Sequence, residues 1–194
     1  MTRVGKEFLD AKEKALKLLE QARGDDNLDE SILSILALIN KSEHYYTSSS
    51  CAGRVVVLEI PRIGDKKNAQ HVGKWHWPIS LDDLKGSVKK SKKGVLWLLA
   101  QSPIFHIGAV TLEHGDKLVK LAVASGFKNS GVKSTGKKIV VEVSSTERLD
   151  APIGNDGILF CDDAYLRLLV DIANSVMEKS ALKLQRFETN LRNL

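Results

Sequence analysis

The chain changes its hydrophobic period across one short junction, and that junction limits the folds open to it. From Leu28 to Asn40 apolar residues recur at helical spacing, and from Val55 to Ile60 they form a β-branched run suited to a buried strand. The eight residues Thr47-Ser48-Ser49-Ser50-Cys51-Ala52-Gly53-Arg54 lie between the two. Small residues in such a place let backbone N–H groups point into a cleft and cradle an anionic or polar ligand. Arg54 would close that site as a planar fork for a carboxylate or phosphate. The competing reading is a serine-rich turn that ends in a surface arginine.

The rest of the chain alternates helix and strand. Val4, Phe8, Ala11, Ala15, Leu18 and Ala22 predict an amphipathic first helix ending near Gly24. Asp25, Asp26, Asn27 and Asp29 offer caps for the second helix. Residues 61–78 hold Pro61, Gly64, Gly73 and Pro78 and read as a long loop or irregular hairpin. Val95 to Ala100, Phe105 to Thr111 and Ile139 to Val143 read as strands, and Asp116 to Ala124 as a short helix stopped by Gly126. Asp162 or Asp163 caps a long last helix with a seam of Leu166, Leu169, Ala173, Val176, Leu184, Phe187 and Leu191. A loose repeat of helix, aromatic, serine-bearing loop and strand occurs from Leu33 to Glu59 and again from Leu118 to Val143. It suggests one domain over residues 1–194 with a duplication, its halves about 1–100 and 101–194.

Composition excludes several classes. Hydrophobic residues form 43% of the 194 residues, enough for a substantial core. No apolar run approaches the length of a membrane span, and the charged first ten residues contain no signal-like apolar stretch. Cys51 and Cys161, without CxxC spacing, give neither a zinc site nor a disulfide framework, so no metal is expected and a reducing, cytoplasmic setting is inferred. The net charge is +5, gathered in Lys85, Lys89, Lys90, Lys92 and Lys93, in Lys66, Lys67 and Lys74, and in Lys133, Lys137 and Lys138. Such clusters suit a phosphate backbone, although a solvated lysine surface has the same composition. No G-x-G-x-x-G turn is present, which argues against a Rossmann-type nucleotide-binding fold.

The eight-residue run resembles the signature of the tRNA wybutosine-synthesising protein 3 family, Ser/Thr-x-Ser-Ser-Cys-x-Gly-Arg. Thr47, Ser49, Ser50, Cys51, Gly53 and Arg54 fill every specified position. Further segments are similar to the same family in order: Leu28-Asp29-Glu30, Lys92-Lys93-Gly94 before Trp97-Leu98-Leu99, Ile104-Phe105-His106-Ile107, Ser125 to Gly131, and Ser145-Thr146-Glu147-Arg148-Leu149. Glu147-Arg148 departs from the His-Gly of some relatives. The resemblance implies a compact α+β fold, with two related β-rich halves packed around helices and distinct from the Rossmann-like methyltransferases. It also implies an activity: methyl transfer from S-adenosyl-L-methionine to N4 of the tricyclic wyosine-type base at position 37, in the anticodon loop of phenylalanine tRNA.

That reaction needs a holder for the cofactor's methionine end, a base near the ring nitrogen and a surface on which the nucleobase can stack. Thr47, Ser49, Ser50, Cys51, Gly53 and Arg54 are the candidate cofactor contacts, with Arg54 on the carboxylate. Cys51 is read as shaping the pocket, since a nitrogen acceptor needs no covalent activation. His106 matches the family histidine and is the candidate base; its structural alternative is a strand histidine bonded to a carbonyl. Asp29 is the candidate family aspartate, competing with a helix-cap role, and Asp65 is a second choice. Asn129, Ser130, Lys92 and Trp75 are candidate substrate contacts; Trp77 is also open to stacking, and Trp97 is assigned to the core. Two other classes compete with this enzyme: a non-catalytic basic tRNA-binding module, and a hydrolase with Cys51 or a motif serine as nucleophile.

Overall fold

The computed structural model describes residues 3–24 and 29–194, with the side chains of residues 3, 4 and 24 left aside. In chain order come α1 (Arg3–Gly24), a 3-10 turn (Glu30–Ile32), α2 (Leu33–Lys41), β1 (Tyr45–Cys51), β2 (Arg54–Ile60), β3 (Gln70–Trp75) and α3 (Leu81–Val88). Then follow β4 (Val95–Gln101), β5 (Ile104–Ala109), α4 (Leu112–Ala124), β6 (Gly131–Thr135), β7 (Ile139–Ser144), β8 (Arg148–Asn155), β9 (Ile158–Leu159) and α5 (Asp163–Leu191). Every strand pairing among these residues is antiparallel, so the fold is α+β and not a doubly wound Rossmann sheet. Asp25, Asp26 and Asn27, expected as caps, lie outside the described residues.

The chain forms two compact units, each drawing on both halves of the sequence. The first unit comprises Met1–Ala52, Pro103–Thr146 and Ala181–Leu194. Its sheet has the order β1-β5-β7-β6. Phe105, Ile107, Val141 and Val143 alternate onto one face and bury there with Ile35, Ile39, Phe127 and Phe187. The Phe187 ring lies 5.8 Å from Phe105 and 5.4 Å from Phe127, and all three are fully buried. Truncation of such a side chain to alanine costs about 3–5 kcal/mol. α1 carries Phe8, Ala11 and Ala15 against Tyr46. Leu18 is exposed and Leu19 packs on the core instead, so the seam of α1 departs from its expected course in the last turns. α4 ends where Gly126 adopts a φ of 102°, with the Phe127 N–H bonded to the Ala122 carbonyl at 2.9 Å. This left-handed stop suits glycine and turns Phe127 into the core.

The second unit comprises Gly53–Ser102 and Glu147–Ser180. Its sheet has the order β3-β2-β4-β8-β9. Val55, Val57, Leu96, Leu98, Ala151 and Ile153 bury one face against α3 residues and the first part of α5. The seam read for α5 is buried at every position, and Asp162 caps it by accepting the Tyr165 N–H at 2.9 Å. The hydrophobic pattern does not reveal α3. Ser80 and Asp83 start it with a reciprocal capping box, a two-residue signal. The stretch expected to be a loop or hairpin at 61–78 contains the edge strand β3.

Candidate active site

The small-residue run is not a loop. Thr47 to Cys51 belong to β1, and only Ala52 and Gly53 interrupt the chain before β2. Serine has little intrinsic preference for strands, but pairing with β5 overrides it. A register shift between Thr47 and Ser49 then sets the next residues. It places Ser49 opposite His106, Ser50 opposite Phe105 and Cys51 opposite Ile104. His106 in turn faces Glu142, and Glu142 faces Gly131. Ser49, His106 and Glu142 therefore form a transverse row on the face opposite Phe105 and Ile107.

The row is hydrogen-bonded throughout. Ser49 Oγ lies 2.9 Å from His106 Nδ1, and His106 Nε2 lies 3.0 Å from Glu142 Oε2. The other Glu142 oxygen accepts from Lys133 Nζ at 2.8 Å. Ser48 Oγ donates to the His106 carbonyl at 3.1 Å and fixes the backbone below the ring. The Lys133 hydrogen bond, helped by His106, holds the Glu142 carboxyl below the usual glutamate range against the opposing effect of burial. An ionised carboxylate only accepts, so His106 carries a proton on Nε2, and in the neutral ring the Nδ1 lone pair faces Ser49. The Ser49 side is exposed, and His106 is one-third exposed. A proton delivered at the Ser49 oxygen can pass to Nδ1 while Glu142 balances the imidazolium charge. Sequence reasoning does not find Glu142, which sits inside a β-branched strand run, and names Lys133 only within a basic cluster; cross-strand pairing reveals their partnership.

The remaining candidates divide between positioning and open groups. Asp29 occupies the N-cap position of the 3-10 turn, but its side chain makes no capping bond there; its Oδ2 accepts the Ala52 N–H at 2.9 Å and pins the end of β1. Thr47 is buried and tied to Asn40 twice, at 2.8 Å for each bond, so its polar atoms serve α2. Ser50 and Cys51 are half-buried, and Cys51 is a free thiol. Asn129 and Ser130 staple the turn before β6 to Ser144, through the Asn129 amide and the Ser130 hydroxyl.

In the second unit, Gly53 has a φ of 94°, a conformation open to glycine, and its carbonyl meets His76 Nδ1 at 2.9 Å. Arg54 Nε donates to Gln101 Oε1 at 2.8 Å, which orients the guanidinium. Its terminal nitrogens meet no carboxylate among the described residues. Those donors fit a ligand carboxylate. Burial and the cations Arg54 and Lys74 hold His71 below the usual histidine range. Trp75 packs into the core beneath its hairpin, its ring filling the space a side chain on Gly73 would need, while Trp77 is 61% exposed. Trp97, expected in the core, is only half-buried. The Lys92 side chain is exposed while its N–H bonds Glu59 at 2.6 Å. Asp65 holds Asn68, at 3.0 and 3.1 Å, within the β2–β3 connection.

Comparison with known proteins is specific. Residues 10–193 match the family described as methyltransferase TYW3. The chain belongs to this family. A tRNA(Phe) 7-((3-amino-3-carboxypropyl)-4-demethylwyosine(37)-N(4))-methyltransferase 1 of Pyrococcus abyssi is 46% identical over 96% of this chain and 97% of its own length. A tRNA(Phe) methyltransferase of the same description from Methanocaldococcus jannaschii is 39% identical over 96% of this chain and 98% of its own. A solved Pyrococcus horikoshii protein superposes with a TM-score of 0.93, at 46% identity and 98% coverage of both chains. A hypothetical protein from Aeropyrum pernix superposes at 0.73, with 26% identity, over 85% of this chain and 98% of its own. No described helix is long and apolar enough to cross a membrane.

Proposed function

We propose that this chain transfers a methyl group from S-adenosyl-L-methionine to N4 of 7-(3-amino-3-carboxypropyl)-4-demethylwyosine at position 37 of phenylalanine tRNA. The observation that carries the reading is family membership across nearly the whole chain, combined with the Ser49–His106–Glu142 row that starts in the small-residue run. When bound, the cofactor supplies an electrophilic methyl on a sulfonium. Arg54 would hold the cofactor carboxylate through its open terminal nitrogens. His106, with Ser49 as the outer contact, would remove the N4–H proton. Asp29 would act by holding β1 in place through Ala52. A serine beside a held histidine also suits a hydrolase; the family match favours methyl transfer between the two.

The test is incorporation of a tritiated methyl group from the cofactor into phenylalanine tRNA that carries the unmethylated tricyclic base. Label in the tRNA supports the reading. Tight tRNA binding without label, and without cofactor binding by calorimetry, would replace it with the non-catalytic tRNA-binding module.

A further inference from the structure

The second unit carries an arm that the chemistry above does not use. β2 and β3 form a hairpin, and β3 is the outer edge of its sheet. An edge strand leaves unpaired backbone groups, and exposed lysine commonly guards it. Here Lys74 and His71 lie exposed on β3, and Arg62, Lys66 and Lys67 are exposed in the connection at its tip. Across residues 61–80 four cations face a single carboxylate, Asp65. That carboxylate is turned in: it accepts from Asn68, its side chain is only 15% exposed, and the cation near it, Arg62 at 3.8 Å, is itself 85% exposed. The tip is thus preformed and its outward charge is positive.

Edge protection accounts for the lysines but not for two apolar side chains on the same arm. Ile63, at the tip, is 85% exposed, and Trp77, at the base, is 61% exposed. Both leave most of their apolar surface in water. Between tip and base, the six residues of β3 extend about 20 Å. Cations spaced along an edge, with an aromatic ring at one end and an aliphatic wedge at the other, match the chemistry of RNA. Phosphates pair with the cations, an unstacked base lies on the ring, and an aliphatic side chain enters between bases.

We propose that the β2–β3 arm is an RNA-docking edge. Arg62, Lys66, Lys67 and Lys74 contact phosphates, Trp77 stacks on an unpaired base, and Ile63 wedges against a loop base. The inference rests on the tRNA reading above and adds the surface that reads it.

The experiment measures the affinity of the full chain for a synthetic anticodon stem-loop by fluorescence anisotropy over a salt series. A 2-aminopurine in the loop reports unstacking. The combined variant Arg62→Gln, Lys66→Gln, Lys67→Gln should lower the slope of log K against log salt by about 2–3, close to one for each phosphate no longer neutralised. Trp77→Ala should weaken binding about fivefold to 100-fold at one salt concentration. Ile63→Ser should remove the 2-aminopurine response while keeping most of the affinity. All five positions are exposed, so thermal unfolding should match the unsubstituted chain. If the unsubstituted chain binds and these variants behave like it, the inference is wrong and the tRNA reading stands. The inference is also wrong if Lys137→Gln with Lys138→Gln, in the β6–β7 hairpin, takes the salt slope instead. Failure of the unsubstituted chain to bind the RNA overturns both.

Discussion

Replacing Glu142 by glutamine separates the charge of the row from its shape. The glutamine keeps one oxygen to accept from His106 Nε2, so the ring keeps its tautomer and orientation. Lys133 is left without its carboxylate, but its side chain is 56% exposed and turns to water at little cost. What disappears is a full negative charge 3.0 Å from the imidazolium that would form if His106 takes the proton as proposed. With an effective dielectric constant of about 40–80 for this solvent-reached site, Coulomb's law gives a loss of about 1.4–2.8 kcal/mol. That corresponds to a turnover about 10- to 100-fold slower. The assay is single-turnover methyl transfer at saturating cofactor, alongside calorimetric cofactor affinity. Turnover should fall within that range while affinity changes less than about twofold, and Lys133→Met should stay near full rate. Undiminished turnover in Glu142→Gln would refute the argument that the carboxylate balances charge on His106.

Glu142 also links stability to pH. Its folded carboxyl titrates below its unfolded value of about 4.3, so the row's contribution is present above that pH and is lost as pH falls through the depressed value; Glu142→Gln should flatten the acid side of a urea-stability profile. Arg54→Ala should weaken cofactor binding at least tenfold while leaving the unfolding midpoint within about 2 °C, and normal affinity would remove Arg54 from the cofactor site. Asp29→Ala strips the acceptor from the buried Ala52 N–H and should cost about 1–3 kcal/mol, a melting shift of about 2–12 °C. Asp29→Asn keeps an acceptor and should recover most of that loss; if it does not, the Ala52 bond is not what Asp29 supplies. Cys51→Ser should retain turnover, and complete loss would restore a nucleophilic thiol to consideration.

Periodicity over long segments is the most legible part of the fold. The α5 seam is readable because seven apolar positions at helical spacing leave few alternatives, and all seven are buried. β2, β4, β5 and β7 are readable from unbroken apolar or β-branched runs. Short elements are not. α3 depends on one capping box, and β3 contains histidine, glycine and lysine, which no local preference assigns to a strand. The motif itself reads as a loop, because three consecutive serines argue against a strand until β5 lies beside them. Composition also does not rank the tryptophans: Trp75 fills the hairpin's core side and Trp77 faces outward, although both occupy the same short stretch.

The candidate site is legible by residue type and illegible by partnership. Ser49 and His106 can both be named from the motif and the family resemblance, yet nothing in their sequence separation brings them together. The register shift after Thr47 does so, and β7 then adds Glu142. Conversely, Thr47, Asn129 and Ser130 have the right chemistry for ligand contact but commit it to Asn40 and Ser144.

Whether the Ser49–His106–Glu142 row serves methyl transfer to the tricyclic base can be read from the nucleoside itself. Phenylalanine tRNA carrying the unmethylated base is incubated with the chain and S-adenosyl-L-methionine, digested and analysed by mass spectrometry. One added methyl should appear on the tricyclic base, and it should vanish in His106→Ala under conditions where that variant still binds the cofactor. An unmodified base with the unsubstituted chain, or full methylation by His106→Ala, would contradict the assignment.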